Sequence, residues 1–229
     1  MLISRPAVLR DYLALHDRCR YLEVGVSMGE TFFELEPAHA VAVDPFFQFD
    51  LDAARRNHPS AEFHQVTSDT YFSEVVKRGD LFQVIYLDGL HTVQQTLRDM
   101  NNALHHLTQD GVIIVDDVVP NSYKAALPSQ GDAVAVQQHL SDPDHSWMGD
   151  TYKLVFVVRC FFPTLALRTI SDNHGQAVIW RRSLAQDPLH ILDTSDPFNL
   201  TFLDVVRRPE VFAFGTHAEI LLEYQQGRA

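Results

Sequence analysis

Short apolar runs alternate along the chain with longer segments in which apolar residues recur every three or four positions. Tyr21–Val26, Ala40–Val43, Glu62–Val66, Val84–Leu87 and Val112–Val115 read as five strands. They are continuously apolar rather than alternating, as strands covered on both faces must be, and the helix-length spacers between them predict βαβ units and a parallel sheet. The clearest helix lies between the fourth and fifth strands, where Val93, Leu97, Met100, Leu104 and Leu107 form one stripe. Thr92 and Gln95 match a capping box at its start, and Asp110–Gly111 predicts the turn that closes it.

Beyond residue 117 the pattern changes. Val118–Gly131, rich in Pro, Ser, Asn and Gly, predicts a loop over the carboxyl edge of the sheet. Ala133–Leu140 and Thr151–Phe161 predict helices. Leu165–Ile170 and Ala177–Arg181 flank the turn-forming Asp172-Asn173-His174-Gly175 and predict a hairpin. Residues 1–182 therefore read as one α/β domain. Residues 183–229 carry scattered aromatics (Phe198, Phe202, Phe212, Phe214, Tyr224) and read as a C-terminal extension, either helical or a contact in a homo-oligomer.

A chain of 229 residues suits one such domain. Its formal net charge is −12, and the pairs Arg55–Arg56, Arg181–Arg182 and Arg207–Arg208 are isolated, so a nucleic-acid partner is excluded and a small-molecule substrate expected. Two cysteines without metal or redox spacing, Cys19 and Cys160, read as small buried hydrophobes and fit a reducing, cytoplasmic setting. Arg5, Arg10 and Asp11 interrupt any signal-peptide core, and the apolar stretch at Leu154–Val158 is far too short for a membrane span.

In a doubly wound sheet, ligands bind at the carboxyl ends of the strands near the switch point. At the first strand end stands Glu23-Val24-Gly25-Val26-Ser27-Met28-Gly29. Its Gly-x-x-x-Gly spacing departs from the dinucleotide Gly-x-Gly-x-x-Gly, and on its own it is equally a tight strand–helix turn. Asp44 ends the second strand, where an acid accepts from ribose hydroxyls, and Ser68–Asp69 follows the third, where an acid can take an adenine amino group. Residues 18–120 resemble the core of class I S-adenosylmethionine (SAM)-dependent methyltransferases. The resemblance implies a Rossmann-like, mostly parallel seven-stranded sheet with a terminal antiparallel hairpin, and SAM as cofactor. It assigns Glu23, Gly25, Ser27, Gly29, Asp44, Ser68, Asp69 and Asp88 to the cofactor, with Ser27 standing where the family has its middle glycine.

Asp88 ends the fourth strand and Asp116–Asp117 the fifth. On adjacent parallel strands these carboxylates would meet at one sheet edge and repel unless a cation or protons intervened, and such hard oxygen ligands suit Mg²⁺ or another divalent metal. The arrangement resembles metal-dependent O-methyltransferases of the catechol type and of the macrocin and sugar group, which carries the metal onto Asp88, Asp116 and Asp117. Where the catechol group has a lysine base, three residues past the first metal acid, this chain has His91, whose imidazole can accept a proton near neutral pH. His91 and Asp88 are thus the catalytic candidates, and methyl transfer to a sugar or phenol-like hydroxyl is the expected reaction. A metal-independent methyltransferase and a non-catalytic SAM-fold binding protein remain as alternatives.

Overall fold

A computed structural model describes residues 2–182 and 196–227. Its strands are β1 (Arg20–Val24), β2 (His39–Val43), β3 (Ala61–His64), β4 (Phe82–Leu87), β5 (Leu107–Val115), β6 (Leu165–Ile170), β7 (Ala177–Arg181) and β8 (Phe214–Gly215). The helices are α1 (Arg5–Leu13), α2 (Leu51–Asn57), α3 (Ser68–Thr70), α4 (Val93–His105), α5 (Gln130–Leu140), α6 (Lys153–Phe161), α7 (Phe202–Arg207) and α8 (His217–Gly227). They build one sheet in the order β3-β2-β1-β4-β5-β7-β6-β8, a mostly parallel Rossmann-like arrangement in which β7 runs antiparallel to β5 and β6.

The continuous apolar pattern has its expected cause. Along β5, Ile113 and Val115 pack into the core on one face of the sheet, while Val112 and Ile114 pack into the core on the other. Leu22, Ile85 and Ile179 join the first core, Tyr21, Tyr86 and Val178 the second. Burying such a side chain on either face contributes about 1.5–3 kcal/mol, so neither face tolerates a polar residue without a partner. Cys19 is buried and Cys160 half-buried.

Three expectations are corrected. The sheet has eight strands among the described residues, because Phe214–Gly215 pairs in parallel with Thr169–Ile170 of β6. The stripe of α4 ends at His105. Leu107 opens β5 instead, and Asp110–Gly111 lies within a bulge of that strand, between the pairings Phe82 to Leu107 and Val84 to Val112. No capping box closes the start of α4: the Val93 N–H donates to Asp150 Oδ1 (2.8 Å), while Gln95 is drawn to acids elsewhere, so a distant carboxylate supplies the cap. The described part of the C-terminal segment packs on the domain, with Val205 and Phe212 in one core and Ile220 and Tyr224 in the other.

Candidate functional site

The strand order reverses between β1 and β4, and their carboxyl ends open two cavities that share Gly25, Ser27, Asp88 and His91. The chain makes this junction by bringing backbone against backbone. Gly25 has φ +90°, and a Cβ there would lie 2.0 Å from the Asp88 carbonyl oxygen, so only glycine lets β1 turn away this close to β4. This is also why the first strand stops at Val24.

The first cavity, of about 510 Å³, runs from Gly25 past Asp44 to Thr67, Ser68, Asp69 and Gln95. Asp44 is 8% exposed; its Oδ2 accepts from the Ser27 N–H (2.8 Å) and its Oδ1 from the Phe46 N–H (2.7 Å). Each oxygen keeps a second acceptor site, so the carboxylate shapes the loop and can still receive ribose hydroxyls. At the far end the Gln95 amide donates to Ser68 Oγ, Asp69 Oδ1 and Asp99 Oδ1 at 3.0–3.2 Å. Asp99 has no role in the sequence pattern, and Gln95 enters it only as part of a capping box. Their signal is the spacing of four on α4, which places them one turn apart on one face. Asp99 is buried, and burial, offset in part by hydrogen bonds from Ser68 and Gln95, moves its carboxyl up to about 6.

The second cavity, about 490 Å³, is lined by Glu23, Glu30, Asp117, Trp147, His174 and Arg5 among others. Glu23 is 2% exposed and accepts from the Tyr21 hydroxyl at 2.6 Å; burial dominates and pushes its carboxyl up to about 8. Gly29 does not line either cavity; its Cα packs on the Phe33 ring, which a Cβ would overlap at 2.2 Å.

The three expected metal acids meet at this edge, as the pairing of Leu87 with Val115 requires, but in two groups that share Asp117. Asp88, His91 and Asp117 each offer a ligand atom within 4.8 Å of the others, and so do Asp116, Asp117 and His174. Asp116 is fully engaged. It accepts from the Tyr86 hydroxyl (2.9 Å), lies 2.6 Å from His174 Nε2 and pairs with Arg5 Nε at 2.6 Å. Burial would raise its carboxyl, yet His174, Arg5 and Tyr86 together hold it below the ordinary range. Asp117, in the left-handed region at φ +58°, meets Arg5 only at 3.9 Å, and Asp88 receives the Tyr86 hydroxyl only at 3.4 Å. Burial and the charge of Asp116 raise Asp88 to about 6 and Asp117 to about 7.

His91 sits between these two acids, with Nε2 3.5 Å from Asp88 Oδ1 and Nδ1 3.2 Å from Asp117 Oδ2. Burial lowers its pKa, but the Asp88 hydrogen bond and the charges of Asp117 and Asp88 outweigh it and lift the imidazole to about 9. Without a cation beside it, His91 is a protonated donor at neutral pH. Its ring stacks on Trp147 at 5.1 Å.

Arg5 is the residue that the sequence reading passed over as a mere interruption. Ser4 caps α1, Val8, Leu9 and Tyr12 bury its inner face, and the Ile3 N–H donates to the Asp172 carbonyl (2.8 Å). That bond places Arg5 beside His174 in the β6–β7 turn. Nothing local marks it.

Residues 22–118 match the methyltransferase domain family. No curated protein matches the chain in sequence. Among solved structures, the fold is similar to a protein assigned as a caffeoyl-CoA O-methyltransferase from Staphylococcus aureus (TM-score 0.54, 11% identity, 79% of this chain and 85% of that one). It is also similar to the O-methyltransferase TomG from Streptomyces achromogenes in complex with SAM (TM-score 0.52, 16% identity, 79% and 82%). At these identities the structures speak for the fold. Residues 22–118 therefore match a methyltransferase domain, and the chain around them has the fold of these O-methyltransferase structures. No helix among the described residues is long and apolar enough to cross a membrane.

Proposed function

We propose that this protein transfers the SAM methyl group to a hydroxyl of a small, polar acceptor, sugar or phenol-like, with a divalent cation at the junction of the two cavities. The carrying observation is the convergence of Asp88, His91 and Asp117 between the cofactor cleft and the second cavity. Two carboxylates and one imidazole are a donor set that suits Mg²⁺ or Mn²⁺. Asp88 and Asp117 would hold the ion, with His91 in reach. Bound there, it supplies Lewis acidity toward the acceptor hydroxyl.

The chain's own residues carry the rest. Asp44, Gly25 and Ser27 seat the cofactor, and Ser68, Asp69 and Gln95 enclose its adenine end. The second cavity orients the acceptor in line with the methyl group. His91 holds a proton against Asp88 and Asp117; as their charge is offset, its affinity for that proton falls and the ring becomes the acceptor of the hydroxyl proton. Calorimetry with S-adenosylhomocysteine and then Mg²⁺, followed by turnover with and without EDTA, tests the reading. It stands if EDTA abolishes turnover while cofactor binding persists.

Arg5 favours a second reading. Its guanidinium, 2.6 Å from Asp116 and 3.9 Å from Asp117, already balances part of the acid cluster, as a metal would. If that suffices, methyl transfer is indifferent to EDTA and is lost on Arg5→Gln.

A further inference from the structure

Lys124 keeps only 5% of its surface exposed and belongs to no site described above. Its ammonium donates to the Asp144 carbonyl and faces Asp142 Oδ2 at 3.3 Å and Asp144 Oδ2 at 3.6 Å. The same acids wrap their own turn, Asp142 Oδ1 accepting from the Asp144 N–H (2.9 Å) and Asp144 Oδ1 from the Ser146 N–H (2.8 Å). A lysine thus fills the centre of an acidic turn.

The residues just after that turn reach the active edge. The Trp147 indole donates to the Leu127 carbonyl (2.7 Å) and the Met148 N–H to the Ala125 carbonyl (2.9 Å), so residues 142–148 lie against the segment that carries Lys124. The Trp147 ring stacks on His91, and its carbonyl lies 3.2 Å from His91 Nδ1. Gly149, at φ +62°, passes so close that a Cβ would lie 1.7 Å from the His91 carbonyl oxygen. Ser146, Trp147 and Met148 all line the second cavity, whereas Lys124 does not.

We propose that Lys124 is a positioning residue for the acceptor: its ammonium ties the acidic turn 142–146 to the 121–127 segment and, through Trp147, sets the His91 ring and the wall of the second cavity. The inference rests on that cavity taking the acceptor. Without the lysine, two carboxylates would face each other unbalanced and spread the turn. None of residues 142–148 lines the first cavity, which meets them at His91.

The test uses full-length protein labelled with fluorotryptophan. The chain has two tryptophans, so fluorine NMR gives two resonances, and Trp147→Phe identifies which belongs to Trp147 and which to Trp180. In Lys124→Met the Trp147 resonance should shift and broaden while that of Trp180 stays, and Lys124→Arg should restore it. The S-adenosylhomocysteine dissociation constant should change less than about twofold, and with catechol as probe acceptor KM should rise about tenfold with kcat falling less than about threefold. An unmoved Trp147 resonance, or cofactor binding weakened as much as acceptor binding, overturns the proposal. If Lys124→Met does not fold, Asp142→Asn decides, since it removes one charge facing the lysine and keeps an acceptor for the Asp144 N–H. A shifted Trp147 resonance supports the tie and an unchanged one refutes it. Absence of turnover with catechol counts against the acceptor reading alone, because the fluorine spectra still decide the role of Lys124.

Discussion

Glu23→Gln isolates the consequence of burying a carboxyl at the end of β1. Glu23 is enclosed by the sheet and faces the charges of Asp88 and Asp116; burial and these charges outweigh the hydrogen bond from the Tyr21 hydroxyl and push its carboxyl from 4.5 up to about 8. A folded-state value above the unfolded one means that the native state binds more protons between the two. Stability therefore falls as pH climbs from about 4.5 to about 8, and the whole penalty is present above that window. At 1.36 kcal/mol per pH unit the ceiling is about 5 kcal/mol; water in the adjoining cavity relieves part of it, so about 2–4 kcal/mol is expected. Glutamine is the same size, is neutral throughout and can accept from Tyr21. Urea denaturation of both proteins between about pH 4 and about pH 9 should show the smallest difference at the acid end and an advantage of the variant that grows toward the alkaline end. Contributions from Asp99 and Asp117 are common to both proteins and cancel in the difference. Two curves that run parallel across the range would mean that Glu23 is ionised throughout, and the burial argument would fall.

The site sets three further outcomes. Gly25→Ala sets a Cβ 2.0 Å from the Asp88 carbonyl oxygen at positive φ, a strain of about 1–3 kcal/mol before any displacement of β4, so calorimetry should find S-adenosylhomocysteine binding severely weakened. Asp44→Ala removes the acceptor for ribose hydroxyls and for the Ser27 and Phe46 N–H groups and should weaken the same binding by about 1.5–3 kcal/mol; unchanged affinity would place the ribose elsewhere. His91→Ala should lower turnover by about 10²–10⁴ while leaving S-adenosylhomocysteine affinity near wild type, and an acceptor with a more acidic hydroxyl should recover part of the loss. Equal turnover by variant and wild type would remove His91 from the chemistry.

Much of the fold is local and was legible. The five parallel strands, α4 and the β6–β7 hairpin follow from runs of apolar residues and turn chemistry, because a strand buried on both faces has to be written as a continuous apolar run. Asp44, Ser68, Asp69, Asp88, Asp116 and Asp117 could likewise be placed at one edge, since each follows a recognisable strand and parallel strands share their carboxyl end. The boundary errors fall where tertiary contacts overrule local signals. Leu107 obeys the helical stripe, yet the pairing with Phe82 takes it into β5. Gln95 satisfies a capping-box pattern, yet Asp150 caps the helix and Gln95 turns to Asp69 and Asp99.

Only the tertiary structure decided how the acids at that edge differ. By sequence, Asp116 and Asp117 are neighbours of one kind. Once folded, Arg5 from the chain's start and His174 from the late hairpin close on Asp116 and hold it ionised, while Asp117 and Asp88 are left to His91 with their carboxyls raised. Those partners lie 111 and 58 residues from Asp116 along the chain. Sequence spacing carries information over a helical turn or a hairpin, but the energy of a buried charge is set by whatever groups share its low-dielectric surroundings, and only the packing of the whole chain determines which those are.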